Sequence, residues 1–268
     1  DLCIYIKNYT ITISKQTIFL NNQYYSTKGR LFMKKVLIYN EFYHEQQNDN
    51  EASKIYPEGI HIALKKALED EFSVETVTLE TVNEITEEKL RNTDVLLWWG
   101  HVKHNEVPDE VAALVQQAVL EGMGLVVLHS GHHSKPFKRL MGTNCNLTWR
   151  ENADRELLWV CKPSHPIAKG LGRFVVIDNE ETYGEPFSIP EPDELVFIGS
   201  FSGGEVFRAG CCYKRENGKI FYFQPGHETY PVYHNPEVIK IIKNAINWAA
   251  PTYRVKIECP HVKKPLED

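Results

Sequence analysis

The chain has 268 residues, 36 of them acidic and 30 basic, for a formal net charge of −6. Such mild acidity excludes a dedicated nucleic-acid binder, which needs a basic face, and 42% hydrophobic with 25% charged residues excludes wholesale disorder. No apolar run of about 18 residues occurs, so no transmembrane helix and no membrane partner are expected. Six cysteines without CxxC spacing read as reduced thiols of a cytoplasmic protein.

Residues 1–32 differ from the rest. They are rich in Ile, Tyr, Asn and Thr, and they lack the basic and continuous apolar regions of a secretory signal. We read them as a non-native extension outside the core fold, the alternative being an edge strand over 9–14. Met33-Lys34-Lys35 then leads into Val36–Tyr39, an apolar run suited to a strand buried on both faces. Ile60, Ala63, Leu64, Ala67 and Leu68 form one face of a helix starting near Pro57. Val74–Thr78 alternates as a strand, and Thr86 caps a short helix through Leu90. Val95–Trp99 is a second buried strand. Pro108 opens a helix that stops at Gly122 and Gly124, and Leu125–Leu128 is the third apolar run. This alternation predicts a parallel sheet with helices on both faces.

The second half is richer in strands: Leu157–Cys161, Phe174–Ile177, Leu195–Ile198, Val206–Tyr213 and Lys219–Phe223, with Glu216-Asn217-Gly218 turning the last pair into a hairpin. Asn235 caps a final helix whose apolar stripe runs Val238, Ile241, Ile242, Ala245, Ile246 and Ala249 before Pro251. One α/β domain is expected over 33–250, followed by a loosely packed tail over 251–268.

Ligands of open α/β sheets bind at the carboxyl ends of strands. Four strand ends each deliver a histidine near the tip: His44, His101, His129 and His227. Any one of them alone reads as a structural residue. Their convergence points to a divalent metal, zinc first, since neutral imidazole is a common zinc ligand and three protein ligands leave a position open. No HExxH pair is present. Leu128-His129-Ser130-Gly131 has the form of a nucleophile elbow with His129 at its tip, a following helix supplying N–H groups, and Ser130 as either nucleophile or helix cap. Glu180-Glu181-Thr182-Tyr183 follows a strand. It reads either as a solvated loop or as an acid–base pair with a phenol that orients sugar hydroxyls. Trp98 and Trp99 read as core, with Trp99 the candidate to stack on a sugar ring.

The ordered set Lys34–Ile38 with Tyr43-His44, Leu128-His129-Ser130, Ser164-His165-Pro166-Ile167 with Gly170-Leu171, Glu180–Tyr183, and Gly226-His227 before Asn244–Ala249 resembles the ThuA-like trehalose-utilisation family over about 33–250. The resemblance implies a class I glutamine amidotransferase-like (flavodoxin-like) three-layer sandwich with a mostly parallel sheet. It also implies a role in disaccharide or keto-sugar metabolism. Glutaminase chemistry is not expected, because that superfamily has a cysteine at the elbow and His-x-Glu near the end, whereas this chain has His129 at the first place and Thr229 two after His227. The expected enzyme uses the metal to polarise a carbonyl or activate water, with Glu181 or Glu228 moving protons. The rivals are a non-catalytic sugar-binding or regulatory module and a Ser130-dependent hydrolase. A small-molecule sugar is the expected partner; monomer and homo-oligomer are both open.

Overall fold

The computed structural model describes residues 31–256 continuously, together with 2–6, 9–13, 19–20, 23–25, 258–265 and 267. Its main sheet contains nine strands: β1 (Lys35–Asn40), β2 (Ser73–Thr78), β3 (Val95–Trp99), β4 (Gly124–Leu128), β5 (Thr148–Val160), β6 (Phe174–Gly184), β7 (Glu194–Phe201), β8 (Val206–Arg215) and β9 (Gly218–Phe223). Their spatial order is β6-β5-β7-β8-β9-β4-β3-β1-β2. Tyr9–Ile13 pairs with Leu2–Ile6 in a separate two-stranded sheet, not with this one. Ser14, the last residue of the 9–14 segment, lies outside the described residues.

The architecture is an α/β fold on one large mixed sheet, with a smaller parallel share than expected. Pairings among β9, β4, β3, β1 and β2 are parallel; those among β6, β5, β7, β8 and β9 are antiparallel. The reason is local. Strands of the first half are separated by helices, which force crossovers, whereas later strands follow one another through turns and connections without a covering α-helix, and these permit antiparallel return. Every residue of β3 and β4 is buried, as the continuous apolar runs predicted.

Six helices are described: α1 (Glu51–Ile55), α2 (Ile60–Leu68), α3 (Glu87–Arg91), α4 (Asp109–Leu120), α5 (Lys135–Met141) and α6 (Pro236–Ala249). α2 packs beside α6, and α4 lies between α3 and α5. The predicted stripe of α6 is wholly buried. At about 1.5–3 kcal/mol for each fully buried aliphatic side chain, that stripe holds α6 more firmly than helix propensity does. Asn235 and Thr86 cap α6 and α3 as expected, accepting from the N–H of Glu237 and Lys89. α2 starts at Ile60 and not at Pro57, because Gly59 adopts φ 90 and breaks the helical path.

The segment after α6 is less loose than expected. Arg254 donates to the carbonyls of Leu90 (2.7 Å) and Arg91 (2.9 Å), supplying donors for the unpaired end of α3. Cys145, Cys161, Cys211, Cys212 and Cys259 are free thiols. Among the described residues no helix is long and apolar enough to cross a membrane.

The strand order reverses at β1, which has β2 on one side and β3 on the other. Such a reversal opens a crevice at the carboxyl ends of the strands flanking it. The chain that leaves β1 carries Glu41 and His44, and the chain that leaves β3 carries His101.

Candidate functional site

At the crevice, Nδ1 of both His44 and His101 hydrogen-bonds Oε1 of Glu228, His101 at 2.8 Å. Glu228 is 1% exposed, while the His44 and His101 side chains are 27% and 21% exposed, so the two imidazoles form the mouth and the carboxylate the floor. The loop carrying His101 is fixed from below by Glu41. Its carboxylate accepts from the N–H groups of His101 (2.8 Å), Val102 (3.0 Å) and Lys103 (2.8 Å).

The elbow forms at the end of β4. His129 takes φ 49 at the tip, a left-handed conformation that costs energy in a residue with a Cβ and is held by its surroundings. Two residues on, a Cβ at Gly131 would lie 2.9 Å from Val127 Cγ1 and 3.0 Å from the Trp98 carbonyl, so only glycine fits without displacement. The expected helix does not follow directly. A 3-10 turn over His129–His133 comes first and α5 starts at Lys135, so no full helix N-terminus backs the tip. Ser134, not Ser130, caps α5. Ser130 is buried with its hydroxyl 2.7 Å from the Tyr183 hydroxyl, which in turn lies 3.3 Å from His129 Nε2. The serine therefore reaches the imidazole only through the phenol.

Glu180–Tyr183 is not a solvated loop. β6 extends to Gly184, and all four residues are buried. The polar run Asp178–Glu181 resembles a turn in sequence, yet it continues a strand whose register on β5 shifts twice between Arg150 and Glu156. Those shifts bring Glu181 Oε2 to 3.1 Å from His129 Nε2 and 4.0 Å from His227 Nε2. Asp154, beside the shifts, accepts from Thr182 Oγ1 (2.6 Å), Arg150 Nη2 (2.7 Å) and Ser202 Oγ (2.8 Å), which braces the arm. Glu180 faces the loop after β9 and accepts from the N–H groups of Gly226 (2.7 Å), His227 (3.2 Å) and Glu181 (2.8 Å). Gly226 takes φ 141 over the Tyr233 hydroxyl, where a Cβ would lie 2.0 Å away.

The inner imidazoles share one pattern. Nδ1 of His129 lies 2.9 Å from the Gln224 carbonyl, Nδ1 of His227 lies 2.7 Å from Thr229 Oγ1, and Nδ1 of His101 is taken by Glu228. Each ring thus has Nδ1 occupied, as histidines around metals commonly do. Nε2 of His101 and His227 is the less engaged nitrogen, whereas Nε2 of His129 is taken by Glu181 (3.1 Å) and the Tyr183 hydroxyl (3.3 Å). Ring centroids of His101, His129 and His227 stand 5.0–5.9 Å apart.

Charge follows burial and pairing. Burial opposes charge on His129, but pairing with Glu181 and the nearby Glu180 outweigh it and lift its pKa to about 9. Burial pushes Glu181 up, and the same pairing overcomes it to hold the carboxyl below its ordinary value. Burial also opposes ionisation of Glu228, but hydrogen bonds from His101 and His44 keep it far below the carboxylate range. Glu180 rises to about 7 because burial exceeds the pull of His129 and its N–H donors. Burial depresses His227 to about 4.

Among the described residues, two groups have ligand atoms close enough to share a cation: His44, His101 and Glu228 at the mouth, and His101, Glu181 and His227 inside. The four histidines predicted as one ligand set are therefore brought to one rim, but divided, with His101 common to both groups and His129 at the edge of the inner one. Glu228 Oε2 is buried without a hydrogen bond, and Glu181 Oε2 is buried with the His129 imidazole at 3.1 Å as its partner. Trp99 does not fit the sugar-stacking role. It is 1% exposed, and its Nε1 donates to the Gly226 carbonyl at 3.0 Å, so it supports the His227 loop from the core. Tyr183 is 2% exposed and meets Ser130 and His129 rather than an open surface. The bracing parts played by Glu41, Glu180, Gln224 and Thr229 escaped the sequence reading. An acid directly after a buried strand, as Glu41 is after Val36–Asn40, was the one available signal.

Comparison with known proteins places the fold and the family. No curated protein sequence matches the chain. Among solved structures, a ThuA-like protein from Parabacteroides merdae superposes with a TM-score of 0.62 at 17% identity, covering 83% of this chain and 92% of its own. A ThuA-like protein from Bacteroides uniformis gives 0.57 at 18%, covering 80% and 90%. A cytoplasmic protein from Salmonella typhimurium gives 0.53 at 13%, covering 82% and 100%. At these identities the likeness is one of fold. The family model described as "ThuA: Trehalose utilisation" matches residues 35–249, and the chain belongs to that family.

Proposed function

We propose that this protein is a cytoplasmic, metal-assisted enzyme acting on a disaccharide or keto-sugar, without glutaminase chemistry. The observation that carries the reading is the inner group: free imidazole nitrogens of His101 and His227, and behind them His129, turned about the buried carboxylate of Glu181. Imidazole with carboxylate is a donor set suited to zinc. A bound ion would polarise a sugar carbonyl or lower the pKa of a water. Its binding would release the proton that His129 otherwise holds.

The chain's own groups take the remaining tasks. Glu228, ionised on the floor beneath His44 and His101, would move protons through those imidazoles, which stand at the mouth where a sugar hydroxyl or water would give one up. Tyr183, held by Ser130, keeps the far side of His129 in place. The absence of glutaminase chemistry is supported by the imidazole of His129 where a thiolate nucleophile would have to stand. Membership of a trehalose-utilisation family supports a sugar substrate, and the cytoplasmic description of a structural neighbour supports the compartment.

The test combines metal analysis of the purified protein with product analysis. Zinc at near one equivalent, lost in both His129→Ala and His227→Ala, is the expected result; zinc content unchanged by both removes them as ligands. Incubation with trehalose and 3-keto-trehalose, followed by mass spectrometry, is expected to give a product with the keto-sugar. Saccharide binding without turnover, in protein free of metal, would instead indicate a non-catalytic module on this fold.

A further inference from the structure

We infer that Glu41 is a positioning residue for His101, and that Glu180 serves the His227 loop in the same way; the inference deepens the metal-site reading above and rests on it. Glu41 stands directly after β1, 60 positions from the first residue it holds. It is 3% exposed, and both carboxylate oxygens are spent on three consecutive backbone N–H groups, at 2.8, 3.0 and 2.8 Å. The nearest basic side chain in that loop, Lys103, is engaged elsewhere, with Glu106 at 2.6 Å.

Successive N–H groups turned to one side make a concave anion site. Here the chain fills its own site, so the anion is a fixture of the loop. The consequence falls on His101, the residue common to both possible cation groups. With its backbone N–H anchored to Glu41 and its Nδ1 anchored to Glu228, the ring is held at two points and Nε2 is left in one direction. Glu180 repeats the device 46 positions from Gly226, with N–H contacts at 2.7 and 3.2 Å. Glu41 comes from the end of β1, the strand beside β3, whereas Glu180 comes from β6, the edge strand with three strands between it and β9, so each loop's geometry is imposed from elsewhere in the sheet. Neither carboxylate needs to touch substrate or ion to matter, since outer partners of ligating histidines commonly set metal affinity by about 10–100-fold.

Glu41→Gln tests this, because the amide replaces one acceptor oxygen with a donor that faces the same N–H groups. Two readouts are taken on the full chain: the ring nitrogen-15 signals of His101 without metal, and zinc affinity by chelator competition. In the wild type a single tautomer protonated at Nδ1 is expected. In Glu41→Gln a tautomer mixture is expected, with zinc binding weakened about 10–100-fold and the metal-free protein still folding cooperatively. Should Glu41→Gln fail to fold, Glu41→Asp keeps the charge one methylene short and is expected to shift both readouts in the same direction by less. His101 ring signals identical to the wild type overturn the inference, and so does unchanged zinc affinity in a wild type that binds zinc. A wild type that binds no zinc removes the metal reading alone, since the ring signals still decide the placement of His101.

Discussion

The two halves of the sheet supply the site with different chemistry by different means. The parallel half gives the imidazoles: His44, His101, His129 and His227 follow β1, β3, β4 and β9, each on a loop at a strand's carboxyl end. The antiparallel half gives buried acid from within a strand, Glu180 and Glu181 on β6, aimed by irregular register on β5. Loop histidines are placed by topology and tolerate local change, whereas the acids depend on two register shifts, and a slip of one residue would turn them to the other face. The parallel half is therefore the robust contributor and the antiparallel arm the exacting one.

The largest expected effect breaks the comparison at its meeting point. Glu181→Gln removes the acid that faces both His129 and His227, and turnover of the sugar substrate should fall by roughly 10²–10⁴-fold, measured as kcat/KM. Glu228→Gln, at the mouth, should lose less zinc than Glu181→Gln; the reverse order would move the proposed ion to the His44 side. Next comes the elbow on the parallel side. Gly131→Ala forces a Cβ against Val127 and the Trp98 carbonyl, and should destabilise the fold by about 1–3 kcal/mol in chemical denaturation.

His61 sharpens the contrast through pH. It is buried on α2, where its Nδ1 lies 3.0 Å from Asn40 Nδ2, and burial depresses it to about 4 from an ordinary 6.5. The unfolded chain then binds the proton more readily, so this contribution is complete above about pH 6.5 and is lost as pH falls toward 4. His61→Gln should lessen the wild type's loss of stability between pH 7 and pH 5 by ~1–2 kcal/mol. An identical pH dependence in the two proteins would show that His61 stays neutral for no energetic reason. The smallest effect concerns the arm. Asp154→Ala frees Thr182 and Ser202 from their shared acceptor and should lower the melting temperature by about 2–4 °C, with a proportionally larger fall in activity because Glu181 is adjacent to Thr182.

Much of this was legible in the residues. The apolar runs of β1, β3 and β4, the capped stripe of α6, the Asn217-Gly218 hairpin and the elbow at His129 all obey local rules of periodicity, capping and backbone freedom. So did the family, through short motifs in a fixed order. The errors share a cause. Glu180–Tyr183 could be read as a solvated loop, and Trp99 as a candidate to stack on a sugar, because charge and aromaticity say nothing of which way a strand faces.

The sequence by itself determined the layered α/β scaffold and the delivery of four histidines to one edge, since burial patterns and strand ends are properties of neighbouring residues. Only the tertiary structure decided how those histidines divide, which ring nitrogens stay free, and that Glu41, Glu180 and Glu181 stand behind them. These outcomes rest on contacts between residues 46–184 positions apart, made by sheet order and register, and no local pattern encodes such distances.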